Sequence, residues 1–143
     1  VLFRLSEVTR TQPAKVFLQI GINDLSRGVS KDTVFSNICK IANRIRKDSP
    51  KTRVFVQSIL PVNDSFGLFK NHTNKTEDVI WVNTQLKDWC AKENVGFVDL
   101  YSRFKASDSE KMNSQYTNDG LHLLGDGYLL WAEIIKPYLS SKK

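Results

Sequence analysis

Asp119 and His122 stand three residues apart in the run Tyr116-Thr117-Asn118-Asp119-Gly120-Leu121-His122. A carboxylate and an imidazole at that spacing on a turn can touch. If the carboxylate accepts from one ring nitrogen, it fixes the tautomer and orientation of the ring and leaves the other nitrogen free to take a proton from a nucleophile. Hydrolytic chemistry needs that contact. The same four positions also suit an ordinary turn, because Asp and Asn are favoured there for their own backbone hydrogen bonds. The dyad therefore needs a second set of residues before it implies chemistry.

Gly21-Ile22-Asn23-Asp24 supplies one. It follows the apolar run Lys15-Val16-Phe17-Leu18-Gln19-Ile20, which reads as a buried strand ending at glycine. An asparagine just beyond such a strand end can point its amide into a crevice and donate to a developing oxyanion, although turn geometry alone also explains an Asn. Asp24 is expected to tie down the same turn.

The elements that must hold these residues follow from hydrophobic spacing. Leu2, Leu5 and Val8 read as the end of a first helix, as if the chain begins partway through one. Val34, Phe35, Ile38, Ile41, Ala42 and Ile45 make an amphipathic helix over Ser30 to Lys47, with Ser30, Asp32 or Thr33 able to cap it and Ser49-Pro50 closing it. Arg53 to Leu60 is a second strand, stopped by Pro61, and Asn63 to Lys75 a polar loop. Thr76 can cap the next helix, whose stripe is Val79, Val82, Leu86, Trp89 and Cys90, with Asn94 ending it. Gly96 to Leu100 is a third strand, Ser107 to Asn118 a loop, and Asp126 can cap a last helix that buries Leu130, Trp131, Ile134, Ile135 and Tyr138. Strands separated by whole helices require crossovers, hence an α/β fold with a parallel sheet covered on both sides. Ligands of such sheets sit beyond the carboxyl ends of the strands. The segments after the strands, Gly21 to Asp24, Ser58 to Asn63 and Asp99 to Arg103, should converge there with Asp119 to His122.

At 143 residues and 41% hydrophobic content the chain is sized for a single domain with its own core. The net charge of +6 is distributed, with acids between the bases. That argues for a solvated surface and against a nucleic-acid footprint, which would gather Lys and Arg on one face. No apolar run reaches the roughly 18 residues that suggest a membrane span. Cys39 and Cys90 have no metal-ligand or disulfide-framework spacing.

Together, Ile20-Gly21-Ile22-Asn23-Asp24-Leu25 after a strand and Asp119-Gly120-Leu121-His122-Leu123 before a C-terminal helix resemble two motif blocks of the SGNH hydrolases, also called GDSL esterases and lipases. Within that family they look like the platelet-activating-factor acetylhydrolase-like branch. The resemblance covers nearly the whole chain from Pro13 onward. It implies a three-layer, flavodoxin-like fold and hydrolysis of a carboxylic ester of a small molecule through an acyl-enzyme, with no cofactor and no metal. His122 would be the general base and then the acid, Asp119 its orienting partner and Asn23 one oxyanion-hole donor, on a turn shaped by Gly21 and Asp24. The preferred acyl group would be small, such as acetyl on a sugar or lipid-like alcohol.

The family's nucleophile comes from a Gly-Asp-Ser block after its first strand, and that block is absent here. In the family it precedes the Gly-x-Asn-Asp strand by more chain than the twenty residues before Gly21. The expectation is a fragment lacking the first two strands, with its serine upstream, inactive alone and prone to self-association through an exposed sheet edge. Ser58 and Ser26 lack nucleophile-elbow glycines. His72, the other histidine, reads as an exposed loop residue with no partner in sequence, the alternative being a place at the border of the substrate entrance. The alternative reading is a non-catalytic binding module on the same scaffold.

Overall fold

The computed structural model describes residues 5–140. Seven helices and three strands follow one another as α1 (Leu5–Thr9), β1 (Lys15–Leu18), α2 (Ile22–Ser26), α3 (Lys31–Asp48), β2 (Arg53–Gln57), α4 (Lys70–Thr73), α5 (Thr76–Glu93), β3 (Gly96–Val98), α6 (Tyr101–Phe104) and α7 (Gly125–Ser140), with a 3-10 turn at Asp64–Phe66. The strands form one parallel sheet in the order β1-β2-β3, with Phe17 level with Phe55 and Val56 level with Phe97. The α/β fold with a parallel sheet is the one expected.

Two cores sandwich the sheet. On one face α1, α3 and α5 pack Leu5, Val34, Ile38, Ile41, Ala42, Ile45, Val79, Val82, Leu86 and Cys90 against Leu18, Val54 and Val56. On the other, Phe55, Val98, Leu100 and Phe104 meet Ile134 of α7, with Leu130, Trp131, Ile135 and Tyr138 around them. Phe17 stacks on Phe55 at 4.9 Å, and Tyr138 meets Phe55 edge-on at 5.5 Å. Each aliphatic side chain buried from α3 is worth about 1.5–3 kcal/mol of gross hydrophobic stabilisation, so the stripe itself seats the helix. The Ser30 hydroxyl caps α3 by accepting from Thr33 N at 3.2 Å. Asn94 ends α5 in the left-handed conformation at φ 56°.

Local details depart from the sequence reading. Leu2 lies outside the described residues, and Val8 is exposed while Leu5 and Thr9 are buried, so the stripe of α1 runs one residue differently. Thr76 is already inside α5, whose N-terminal flank, Lys75, makes no side-chain cap. Asp126 likewise sits within the first turn of α7, where its charge still complements the helix dipole. Both β1 and β2 stop short of their apolar runs. Beyond Gln57, Ile59 leaves the ladder and is held instead by Asn83, whose Oδ1 accepts from Ile59 N at 2.8 Å and whose Nδ2 donates to Ile59 O at 2.9 Å. The polar loop from Asn63 to Lys75 contains the 3-10 turn and α4, and it exposes Leu68 and Phe69.

Candidate active site

Gly21, Asn23, Ile59, Leu60, Leu121, His122 and Trp131 line a cavity of about 510 Å³ at the carboxyl end of the sheet. It joins the segments after β1 and β2 with the turn before α7, as expected. The segment after β3 does not reach it. Asp99 instead opens α6, accepting from Ser102 N at 3.1 Å and from the Ser102 hydroxyl at 2.7 Å.

The Asp119–His122 turn is tied from within. Asp119 Oδ1 accepts from Leu121 N and His122 N, each at 2.8 Å, and Oδ2 accepts from His122 Nδ1 at 2.8 Å. Because a carboxylate only accepts, the imidazole carries its proton on Nδ1, and Nε2 is the basic nitrogen of the neutral ring. Thr117, fully buried, accepts from Gly120 N at 3.0 Å and so closes the preceding turn. Gly120 has φ +88°, and its carbonyl accepts from Asn63 N at 2.9 Å, which anchors the dyad to the loop after β2.

Burial would raise the Asp119 carboxyl, but the amides of Leu121 and His122 and the imidazole together outweigh it and hold its pKa at about 2, against an ordinary 3.8. A lowered pKa stabilises the fold wherever the unfolded carboxyl would also be ionised, and the gain disappears as the native group takes up its proton. The stability advantage of the native protein over Asp119→Asn is therefore expected to be full above about pH 5 and to shrink as pH falls through about 4 toward 2. Urea midpoints of both proteins across that range read it directly, and a difference that stays constant would contradict it.

Gly21 opens α2 at φ +132°, a conformation that side-chain-bearing residues rarely adopt, and a Cβ there would push on the tip of Ile59 at 2.8 Å, so the backbone itself favours glycine. Asp24 contributes to this turn through its backbone. Its backbone carbonyl accepts from Arg27 N and Val29 N, both at 3.1 Å, while its carboxylate makes no hydrogen bond among the described residues. Asn23, on the cavity wall, has its side-chain Oδ1 within 3.1 Å of His72 Nε2.

His72 therefore has a partner, contrary to the reading from sequence. Phe69 lies edge-on to His72 at 6.2 Å and to His122 at 5.1 Å, placing one aromatic ring between the two histidines. No local signal announces these contacts, because His72 and Asn23 are 49 residues apart.

Both serines considered from the sequence are engaged in hydrogen bonds. Ser58 is fully buried, and its Oγ accepts from Leu100 N and Tyr101 N, each at 2.9 Å. The Ser26 hydroxyl donates to the backbone carbonyl of Asn23 at 2.6 Å. Burial pushes the Cys39 thiol up to about 11 and the Cys90 thiol to about 12, so neither is poised as a nucleophile. Among the described residues no group of three or more His, Cys, Asp or Glu could hold a metal ion, and no helix is long and apolar enough to cross a membrane.

The parallel α/β sandwich places an Asp–His pair beside a Gly-x-Asn turn on one cavity. The sequence pattern of the GDSL-like lipase/acylhydrolase family matches residues 1–130, and the chain belongs to that family. Among solved structures, a GDSL-like lipase from Bacteroides thetaiotaomicron is 26% identical with TM-score 0.85, the match covering 96% of this chain and 68% of that one. A Streptococcus pneumoniae protein with an inferred platelet-activating-factor designation is 28% identical with TM-score 0.78, over 87% of this chain and 59% of its own. An N-acylneuraminate cytidylyltransferase from Streptococcus agalactiae is 28% identical over 129 residues, which are 85% of this chain and 29% of that protein. The chain thus spans less than a third of the curated relatives it matches. The SGNH-type fold and the platelet-activating-factor acetylhydrolase-like resemblance agree with these likenesses.

Proposed function

We propose that this chain is the part of a serine carboxylic-ester hydrolase that carries the base, its orienting carboxylate and one oxyanion donor, with the nucleophilic serine on polypeptide outside it. The observation that carries this reading is the Asp119–His122 pair: Nδ1–H is committed to the carboxylate at 2.8 Å, and Nε2 makes no hydrogen bond among the described residues. His122 then removes the proton from an incoming serine hydroxyl as the oxygen attacks the ester carbonyl, and returns it to the departing alcohol. The acyl-serine is released by water activated at the same nitrogen, with the Asn23 amide stabilising the negative oxygen of each tetrahedral intermediate. The substrate class is a small-molecule ester, with a short acyl group such as acetyl on a sugar or lipid-like alcohol, as in the branch the motifs resemble.

The sheet supports an external nucleophile. Among the described residues β1 pairs with β2 alone, leaving one side for strands from elsewhere, or for a second copy if none is supplied. Multi-angle light scattering of the 143-residue chain is expected to give self-association, and a stable monomer would count against that use of the edge. The functional reading is tested with p-nitrophenyl acetate. Full-length protein containing this chain should hydrolyse it, while the 143-residue chain alone should show no turnover above its His122→Ala variant. His122-dependent turnover by the chain alone would return the nucleophile to these residues.

A further inference from the structure

We infer that His72 is a positioning residue that sets the orientation of the Asn23 amide. The inference rests on the reading of Asn23 as an oxyanion donor. Asn23 lies in the first turn of the five-residue α2 with an exposed side chain, and among the described residues its only side-chain hydrogen bond is the 3.1 Å contact between Oδ1 and His72 Nε2. A carbonyl oxygen only accepts, so His72 donates from Nε2–H. With His72 as the Nε2–H tautomer, rotating the amide by half a turn would set the NH2 group against that N–H, two donors facing each other, so this tautomer selects the rotamer that keeps Nδ2 unengaged by protein. An oxyanion hole needs that donor. The opposite rotamer would present oxygen to oxygen.

His72 is itself held well enough to act as a reference. Its N–H donates to Phe69 O at 2.9 Å, its carbonyl accepts from Lys75 N at 3.2 Å, and its neighbour Thr73 is buried, with a hydroxyl that donates to Leu68 O at 3.3 Å. Phe69, in the left-handed conformation at φ 49°, touches His72 and His122 edge-on. One short loop thus registers the amide donor against the base. Preorganised donors are worth most when no reorientation is left for the reaction itself.

The test combines kinetics and tautomer. In full-length protein acting on p-nitrophenyl acetate, Asn23→Ala should lower kcat on the order of a hundredfold or more. His72→Ala should lower kcat about tenfold with KM changed less than about twofold, since the donor remains but is no longer pre-aimed. His72→Phe, which keeps the ring but has no N–H, should match His72→Ala. His72→Gln, whose amide can still donate, should recover most of the loss. Adding His72→Ala to Asn23→Ala should cost nothing further. Long-range 1H–15N correlation on the chain itself should find neutral His72 as the Nε2–H tautomer, a readout independent of catalysis and of any misfolded variant. A loss with Asn23→Ala but none with His72→Ala, a fully additive double variant, activity retained by His72→Phe, or an Nδ1–H tautomer would each overturn the inference. Wild-type activity in Asn23→Ala would instead overturn the oxyanion reading on which it rests.

Discussion

His122→Ala in full-length protein containing this chain is expected to lower kcat toward an ester substrate on the order of ten-thousand-fold, with KM little changed. In the proposed mechanism the imidazole accepts the serine proton and gives it to the leaving alcohol, and both steps are felt in the transition state far more than in substrate binding. Asp119 holds Nδ1–H at 2.8 Å, so Asp119→Asn should follow the same direction by presenting the wrong tautomer, even though the turn also depends on Oδ1 for two backbone amides. Because the carboxylate oxygen that accepts from Leu121 N and His122 N would become a weaker neutral amide acceptor in that variant, its effect on folding should exceed that of His122→Ala. Steady-state kinetics with paired thermal melts separate the two. A His122→Ala protein retaining more than about a tenth of wild-type kcat would show that this imidazole is not the base.

Gly120→Ala is the substitution expected to damage the fold most. A Cβ at Gly120 would stand 2.0 Å from the Asn63 carbonyl oxygen, and the backbone there has φ +88°, which side-chain-bearing residues rarely adopt. The obstacle is backbone and cannot swing aside. Relief requires the Asp119–His122 turn and the loop after β2 to separate, which breaks the Asn63 N–H bond to Gly120 O at 2.9 Å and disturbs the Asn63 Nδ2 bond to Met112 O at 2.9 Å. Strain and lost hydrogen bonds together should cost about 3 kcal/mol or more, a fall in Tm on the order of 10 °C for a domain of this size. Denaturant unfolding measures it. Gly28→Ala provides the contrast, since Gly28 also has positive φ, at +87°, but a Cβ there meets nothing within 4 Å, so only the backbone term remains.

The readable part of the molecule is the part written in short-range pattern. The α3 and α5 stripes repeat at three and four residues, and their burial follows that spacing directly. Asp119 and His122 are three residues apart on one turn, so their contact could be anticipated from the residue types alone. Gly21 was legible because a strand ending at glycine before Asn announces a sharp turn. What escaped depends on distant chain meeting in space. His72 reaches Asn23 across 49 residues, and Asn63 reaches Gly120 across the whole of α5 and β3, so neither partner carries a local signature. The segment after β3 failed to reach the cavity because the buried Ser58 hydroxyl captures Leu100 N and Tyr101 N and folds the chain at once into α6. Asp24 was expected to tie down the turn after β1, and its backbone carbonyl accepts from Arg27 N and Val29 N there. Thr76 and Asp126, read as caps, fall one and two positions inside the cap sites of their helices, because the hydrophobic stripe locates the middle of a helix better than its ends.

The proposed division of the triad between this chain and polypeptide outside it is tested most directly by active-site labelling. Full-length protein is treated with a fluorophosphonate, digested, and the modified serine located by mass spectrometry, alongside the His122→Ala variant and the 143-residue chain alone. The expected result is a single phosphonylated serine outside residues 1–143, labelled rapidly in wild type, much more slowly in His122→Ala, and no label on the isolated chain. A label on Ser58, Ser26 or any other serine of these residues, or labelling that proceeds equally well without His122, would contradict it.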